Sequence, residues 1–380
     1  MTIGHSSCHS KTGWPRYTQS CSTLRIISPV TYTRLSESVQ TLYAEFLDQV
    51  RAADNEAALG GSGSYVSKVI RERTYWYLQK NGGATKRQIY LGRETPELLE
   101  RIHNATTHRS AIALDESHRR DLVSMLAAGG MFRDSAATAT VLRVLAEASV
   151  FRAGGVLVGT QAFTCIANML GVSFEKESLR TADIDIAHDI TIPVGLNERP
   201  TESDLLLRLR SAEKAFFAVP GLDPRDPSTS FKVRGRDLSV DFLTPDRSHG
   251  KKTQPILLVH LGIAAQPLYG LDFLIDDAVD AAVVGGSGIR VNVPSPARFA
   301  FHKLWVASER SPSEAAKSRK DLRQAAQVFE VLLDDRPNDI TAAYKVLVRR
   351  PRILRRVRTK LKTLDPTLVS RVTPLLPNSD

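Results

Sequence analysis

The chain has 380 residues, of which 42% are hydrophobic and 24% charged, a balance that excludes a disordered chain, a collagen and a disulfide-rich secreted peptide. Lys and Arg number 51 against 41 Asp and Glu, and the resulting net charge of +10 points to an anionic partner such as nucleic acid or nucleotide. The cysteines Cys8, Cys21 and Cys165 cannot build a disulfide framework, so a reducing cytoplasm is the simplest compartment.

Residues 1–36 contain no acid and lack the continuous apolar core of a secretory signal. Their Arg- and Ser-bearing composition matches a transit peptide or a loose extension, and poor packing is expected over residues 1–35. Residues 36–150 read as a helical region with a β-hairpin. SESVQTLYAEFLDQVRAA places Val39, Leu42, Phe46 and Val50 at helical spacing, with Ser36 or Ser38 as cap. The run GGSGS from Gly60 to Ser64 breaks that helix. Aromatic and β-branched residues on both sides of Asn81-Gly82-Gly83 then predict the hairpin. Tyr75, Trp76 and Tyr77 in its first strand read as packing residues, with a base-stacking platform as the sharper alternative. PELLERIHNATTH, SHRRDLVSMLAAGG and SAATATVLRVLAEASV each carry the apolar stripe of a helix.

From Phe151 to Val293 the pattern switches to short β-rich runs separated by helices and turns: GGVLVGT, ADIDIAH, LSVDFLT, PILLVHL, LDFLI, AAVVGG and IRVNV. Residues 151–294 therefore read as a core, and residues 295–380 as a helical region with a basic tail. The longest apolar stretch, from Pro255 to Gln266, contains His260 and is too short to span a bilayer.

Two stretches carry the chemistry. In the first, a short strand, Val156–Val158, runs into Gly159-Thr160 and a helix that Gly171 can stop. Thr160 is expected at the N-cap, where its hydroxyl and the first free N–H groups make an anion site at the positive end of the helix dipole. In the second, Asp183 and Asp185 alternate with Ala182, Ile184 and Ile186, as in a half-buried strand. Residues i and i+2 of a strand point to one face, about 6.6 Å apart. Asp241, flanked by Val240 and Phe242, can join them if the strands pair. Two ionised carboxylates at about 5 Å repel by roughly 3 kcal/mol at an effective dielectric near 20. Three converging acids need raised pKa values or a divalent cation, and Mg²⁺, hard and oxygen-seeking, suits them.

These residues resemble the polymerase-β nucleotidyltransferase superfamily, whose motif is Gly-Ser, an acid-x-acid pair and a later third acid. More closely, the chain resembles a group of bacterial nucleotidyltransferase-like proteins that share GTxAF, TxDID and PxPxxFAxHKL. Here these are GTQAF from Gly159 to Phe163, TADID from Thr181 to Asp185 and PSPARFAFHKL from Pro294 to Leu304. The resemblance covers roughly residues 150–335. The TYWYLQ and IYLG segments from Thr74 to Gln79 and from Ile89 to Gly92 resemble the same group less specifically. It implies an α+β, polymerase-β-like core of mixed strands and flanking helices. It also implies that Asp183, Asp185 and Asp241 bind Mg²⁺ or Mn²⁺ and that Gly159 and Thr160 hold the β- and γ-phosphates of an NTP. Asp241 would lower the acceptor hydroxyl's pKa or act as general base. Thr160 stands where the superfamily usually has Ser, and the spacing from Gly159 to Asp183 is longer than in the minimal motif.

Lys303, in the helical segment RFAFHKLWVASER, can neutralise triphosphate charge if it projects to the cleft, with a solvated helix face as the plainer reading. Lys317, Arg319 and Lys320 precede Asp321 in an arrangement that resembles the helical tails of toxin-type nucleotidyltransferases; a solvated face is expected for Lys320. Gly285-Gly286-Ser287-Gly288 reads as a hairpin turn. No GxxxxGK[ST] motif and no zinc-type His spacing occur; His188, His249 and His302 read as surface or packed residues and Cys165 as buried. Residues 345–362 hold nine Lys or Arg and no acid, and predict a basic amphipathic helix after Pro351. RNA binding, a solvated face and membrane-surface docking are its alternatives. The expected function is Mg²⁺-dependent transfer of a nucleoside monophosphate from an NTP such as ATP to an acceptor hydroxyl. RNA, such as a tRNA end, is the favoured acceptor, as in toxin-type relatives, with protein or a small molecule as others. The rival is a non-catalytic nucleic-acid-binding or regulatory protein on the same scaffold.

Overall fold

Val39, Leu42, Phe46 and Val50 lie along one side of the first long helix, and Phe46 and Val50 are fully enclosed. The computed structural model describes residues 32–59, 64–70, 73–82, 85–174, 183–189, 202–221, 227–248, 254–259 and 261–377. Most of the loose extension expected over residues 1–35 lies outside them. A two-residue strand, β1 (Thr33–Arg34), precedes that helix, α1 (Glu37–Leu59).

The expected hairpin is a three-stranded antiparallel meander of β2 (Ser64–Ile70), β3 (Arg73–Gly82) and β4 (Thr85–Arg93). The β-branched run before the aromatic strand pairs with its free edge, so in the backbone register Tyr77 is partnered by Val66 on one side and Tyr90 on the other. Two of the three expected helices are one continuous helix, α2 (Pro96–Ala128). Nothing between them breaks a helix, because no Gly or Pro occurs after Pro96 until Gly129. Thr95 caps α2 by accepting from the Leu98 N–H, and Ser135 caps α3 (Ala136–Glu147) by accepting from the Thr138 N–H.

The central sheet is mixed. Its elements are β5 (Val156–Val158), β7 (Asp183–Ala187), β8 (Phe216–Ala218), β9 (Ser230–Val233), β10 (Ser239–Pro245), β11 (Ile256–Leu258) and β12 (Ile263–Leu268). Between them run α4 (Gly159–Met169), the short β6 (Val172–Ser173), which pairs with β1, and α5 (Glu202–Ala212). The order is β11-β12-β10-β7-β5, with β9 beside β10 and β8 beside β9. Strand β10 sits at the centre, parallel to β7 along one edge and to β12 on the other, while β5 runs antiparallel to β7. Ile184, Ile186, Val240, Phe242, Phe231 and Val233 cover its buried face.

The run LDFLI, read as β-rich, forms a short helix, α6 (Leu271–Ile275). Five apolar residues have too little periodicity to separate strand from helix. Then β13 (Ala278–Val283) and β14 (Ile289–Pro294) make the hairpin expected around Gly285–Gly288. At Gly288, φ is +89° and an added Cβ would overlap Val50, so only glycine lets this turn lie against α1.

The outer edge of β13 is closed by a side chain. The Tyr43 hydroxyl donates to the Ala282 carbonyl and accepts from its N–H, both at 3.2 Å. Tyr43→Phe leaves a buried donor and acceptor of β13 without their partner. The expected cost is about 1–3 kcal/mol, read from the urea midpoint at unchanged m-value; a midpoint within error of wild type would mean that the hydroxyl contributes nothing.

Four of the five C-terminal helices start on proline: α7 (Pro296–Glu309), α9 (Pro337–Val348), α10 (Pro351–Leu361) and α11 (Pro366–Val372). Proline suits the first helical position because its missing N–H would have no intrahelical partner there. The fifth, α8 (Ala315–Asp335), follows a single 3₁₀ turn, Pro312–Glu314. Phe301 of α7 packs against Phe329 and Tyr344 at ring distances of 5.0 and 5.7 Å. One apolar core runs from Ala139 to Val372, joining the sheet to these helices. Among the described residues, no helix is long and apolar enough to cross a membrane.

Candidate active site

Pairing of β7 with β10 decides where the acids go. The two strands run parallel, with Ser239 opposite Asp183, Val240 opposite Ile184 and Asp241 opposite Asp185. Paired residues share a face, and faces alternate along a strand. Asp183, Asp185 and Asp241 therefore lie on one side of the sheet, while Ile184, Ile186, Val240 and Phe242 fill the other. The Ser239 hydroxyl stands 3.0 Å from Asp183 Oδ1 and 3.0 Å from Asp241 Oδ2. It has one proton, so it donates to one carboxylate at a time and holds both near it.

The third wall is the junction of β5 and α4. Val158 pairs with Asp185, and the next residue, Gly159, opens the helix with φ +66°. A Cβ at Gly159 would overlap Asp185 Oδ2, so this carboxylate lies against bare backbone at the positive end of α4. Thr160 is not at the N-cap position that the strand–glycine–helix pattern predicts for it. Val158 takes that position, without a side-chain cap, and Thr160 lies one residue inside the helix. The left-handed glycine lets the helix begin a residue early. Gly171, with φ +65°, follows the C-terminal end of α4 as expected.

Burial, then the Asp241 carboxylate, push Asp185 up to about 6; Lys303 and Arg310 oppose this, and Asp183 adds to it. Lys303 does not project freely to the cleft. Its Nζ bonds Asp321 Oδ1 at 2.8 Å and lies 5.3 Å from the centroid of the Phe299 ring. Arg310 Nε reaches Asp321 Oδ2 at 3.3 Å. Lys320 is half-buried rather than wholly solvated, and burial followed by Lys303 lowers its pKa. Lys317 and Arg319 are exposed.

Arg310 and Asp321, which no motif singles out, are the partners that hold Lys303 and its neighbourhood in an ion-pair network. A signal for Asp321 existed: it stands on the apolar stripe of α8 with Ala325, Val328 and Leu332, all buried. A carboxylate on such a stripe needs a cationic partner.

The donors suit a hard divalent cation: carboxylate oxygens on one face, one of them carrying a raised pKa. Among the described residues, no three His, Cys, Asp or Glu side chains are yet gathered tightly enough to hold a metal ion. Ser239 stands between Asp183 and Asp241, and Asp185 is turned to Gly159.

His188 is fully buried, its Nε2 2.6 Å from the Ala153 carbonyl oxygen. Burial pushes His302 down to about 4. Both are packed residues, and Cys165 is buried as expected. His249 and Thr181 lie outside the described residues. The predicted basic helix is α10. Its apolar stripe, Ile353, Leu354, Val357 and Leu361, is buried in the helical bundle and is not available to a membrane. A groove of about 390 Å³ along it is lined by Pro351, Leu354, Arg355, Arg358, Thr359 and Lys362.

A family model described as "Nucleotidyltransferase" matches residues 136–348, which include all of these strands, α4, α7 and α8. No curated protein and no solved structure matches the chain.

Proposed function

Because the chain belongs to this family of nucleotidyltransferases and is a transferase by that membership, we propose that Asp183, Asp185 and Asp241 form the acidic centre at which it transfers a nucleoside monophosphate from an NTP to an acceptor hydroxyl. The observation carrying this is the register that sets Asp241 opposite Asp185 and Ser239 opposite Asp183.

The three carboxylates would hold Mg²⁺ or Mn²⁺, which when bound supplies charge neutralisation at the phosphates. Free N–H groups at the start of α4, around Gly159 and Thr160, receive the β- and γ-phosphates. Lys303 adds positive charge on the same side. The acceptor oxygen attacks the α-phosphorus, the bond to the bridging oxygen breaks, and pyrophosphate leaves. The hydroxyl proton passes to Asp241. Most of the rate enhancement comes from position and charge, since the protein makes no covalent bond.

RNA is the acceptor that the charge favours. Arg349, Arg355, Lys360 and Lys362 stand on or beside α10, where no acid interrupts residues 345–362. Each phosphate neutralised on a single strand contributes about 0.7 to the slope of log K against log salt. Replacing both Arg355 and Lys362 by Gln is expected to lower the slope for single-stranded RNA by about 1.4. An unchanged slope would place RNA elsewhere. The resemblance to toxin-type relatives extends the reading to a toxin-like role on RNA or tRNA ends in the cytoplasm, with ATP among the candidate nucleotides.

The second reading, a non-catalytic nucleic-acid binder on this scaffold, draws on the spacing of the acids: among the described residues, no three acidic, His or Cys side chains are gathered tightly enough to hold a metal ion. Incubation with each labelled NTP, Mg²⁺ or Mn²⁺ and a total cell extract separates the two. Label entering RNA, protein or a small molecule, and lost in the Asp183→Asn, Asp185→Asn double variant, is the expected result. Label transfer surviving in that variant would remove the site assignment, and no transfer to any fraction would favour the binder.

A further inference from the structure

The register that gathers the acids also extends their face. Ser239 pairs with Lys232 of β9, and Lys232 with Phe217 of β8, so Asp183, Ser239, Lys232 and Phe217 form one row across four strands. Paired residues share a face, so the whole row lies on the acid side of the sheet. The opposite side is closed there: Leu205 and Leu209 of α5 are buried with Phe216, Phe231 and Val233. On the acid side Lys232 is exposed and Phe217 half-buried. Arg234, also exposed, brings its Cζ to 5.5 Å from the centroid of the Phe217 ring. In the turn that follows, Arg236 is matched by Glu213 at 3.1 Å, and Asp237 is exposed at its far end. Among the described residues neither Lys232 nor Arg234 has an ion pair, which leaves the row next to the acids positively charged.

The two flanks of the acids therefore differ. Beyond Asp185 stand β5 and the start of α4, the proposed seat of the nucleotide's phosphates; beyond Asp241 stand β9 and β8. In phosphoryl transfer the attacking and leaving oxygens lie roughly in line, so an acceptor comes from the side away from the departing pyrophosphate. That side is β9 and β8. Neighbouring strands are about 4.8 Å apart, which sets Phe217 about 10 Å from Ser239. We propose that Phe217, Lys232 and Arg234 are the docking face for the acceptor, and that the acceptor is the end of a single-stranded nucleic acid. The exposed Lys and Arg meet its phosphates, and a ring with a guanidinium over it takes an unstacked base. The same charges turn away cationic acceptors such as amino sugars. The proposal rests on the nucleotidyltransferase reading for the side that the nucleotide occupies.

The test uses the full chain and a single-stranded RNA of about ten nucleotides, with a fluorophore at its 5′ end and 4-thiouridine at its 3′ end. Chelator is present and NTP is left out, so that neither metal nor nucleotide contributes. Near-ultraviolet light is expected to crosslink the terminal base to the peptide holding Phe217 or to the one holding Lys232 and Arg234. By fluorescence anisotropy, Phe217→Leu, which keeps an apolar side chain at a half-buried position, should weaken binding about tenfold, the scale of one stacked base. Lys232→Gln, at an exposed position, should lower the slope of log K against log salt by about 0.7, one phosphate contact on a single strand. In transfer assays both variants should raise KM for the acceptor RNA and leave KM for the NTP unchanged.

Wild type failing to bind the RNA would overturn the proposal, even with transfer activity intact. So would terminal-base crosslinks confined to α10 or to any other element, unchanged affinity in Phe217→Leu, or an unchanged slope in Lys232→Gln. A rise in KM for the NTP in place of the RNA would assign these residues to the nucleotide and would overturn it too. Binding and crosslinking as expected in a protein that transfers no label would keep the nucleic-acid face and sink the transferase reading.

Discussion

Asp185→Asn is expected to yield a chain that is more stable than wild type at neutral pH and at least about a hundredfold less active in nucleotide transfer. Both effects have one cause. Burial and the neighbouring Asp241 raise the folded-state pKa of Asp185 to about 6, above the ordinary value near 3.8. The native state therefore holds this proton more tightly than the unfolded chain does. Stability is at its highest below the unfolded pKa and is lost as pH rises through about 4 to 6, levelling off above. A shift of about two units corresponds to roughly 3 kcal/mol as an upper figure. Asn has the same shape and does not titrate. In chelator, the two proteins should unfold at equal denaturant below pH 4 and separate over pH 4–6, with the variant above. Adding Mg²⁺ should then raise the midpoint of wild type alone. A variant less stable than wild type at pH 7.5 would show that Asp185 is a paired, structural carboxylate, contrary to the site proposed for it.

Gly159→Ala is the second large effect. Gly159 holds φ +66°, a conformation that costs an L-residue about 1–2 kcal/mol. The new methyl would also overlap Asp185 Oδ2, and the carboxylate must turn away from the start of α4. A modest fall in stability, about 1–2 kcal/mol by urea denaturation, should accompany a loss of transfer of about a hundredfold or more. Combining it with Asp185→Asn should cost little further activity, because both changes disable the same junction. A stable Gly159→Ala protein with full activity would separate this turn from the chemistry.

The two variants also show where sequence reasoning reached and where it stopped. Alternation around Ile184 and Ile186 was enough to set Asp183 and Asp185 on one side of a strand, since side-chain direction there is a local property. The strand at Val156–Val158, the turn at Gly159 and the stop at Gly171 were equally legible, because each depends on a few adjacent residues. Errors arose where neighbours in sequence were the only guide. Thr160 looked like a cap because threonine often is one, yet the left-handed glycine before it moved the start of the helix by a residue. The LDFLI run was too short for its periodicity to decide between strand and helix. Lys303 looked free to reach a ligand, because its partner is 18 positions further along the chain.

By itself, then, the amino-acid order determined the types of chemistry available: hard oxygen donors on a strand, a glycine-led helix start, and a basic helix after Pro351. The tertiary structure decided their meeting. Asp241 comes opposite Asp185 only through the register of two parallel strands whose residues are 56 apart, and Arg310 comes to Asp321 only through the packing of α7 on α8. Hydrogen bonding between strands and burial of apolar stripes are selections among many registers and crossings, and partners 56 residues apart share no window that periodicity can read.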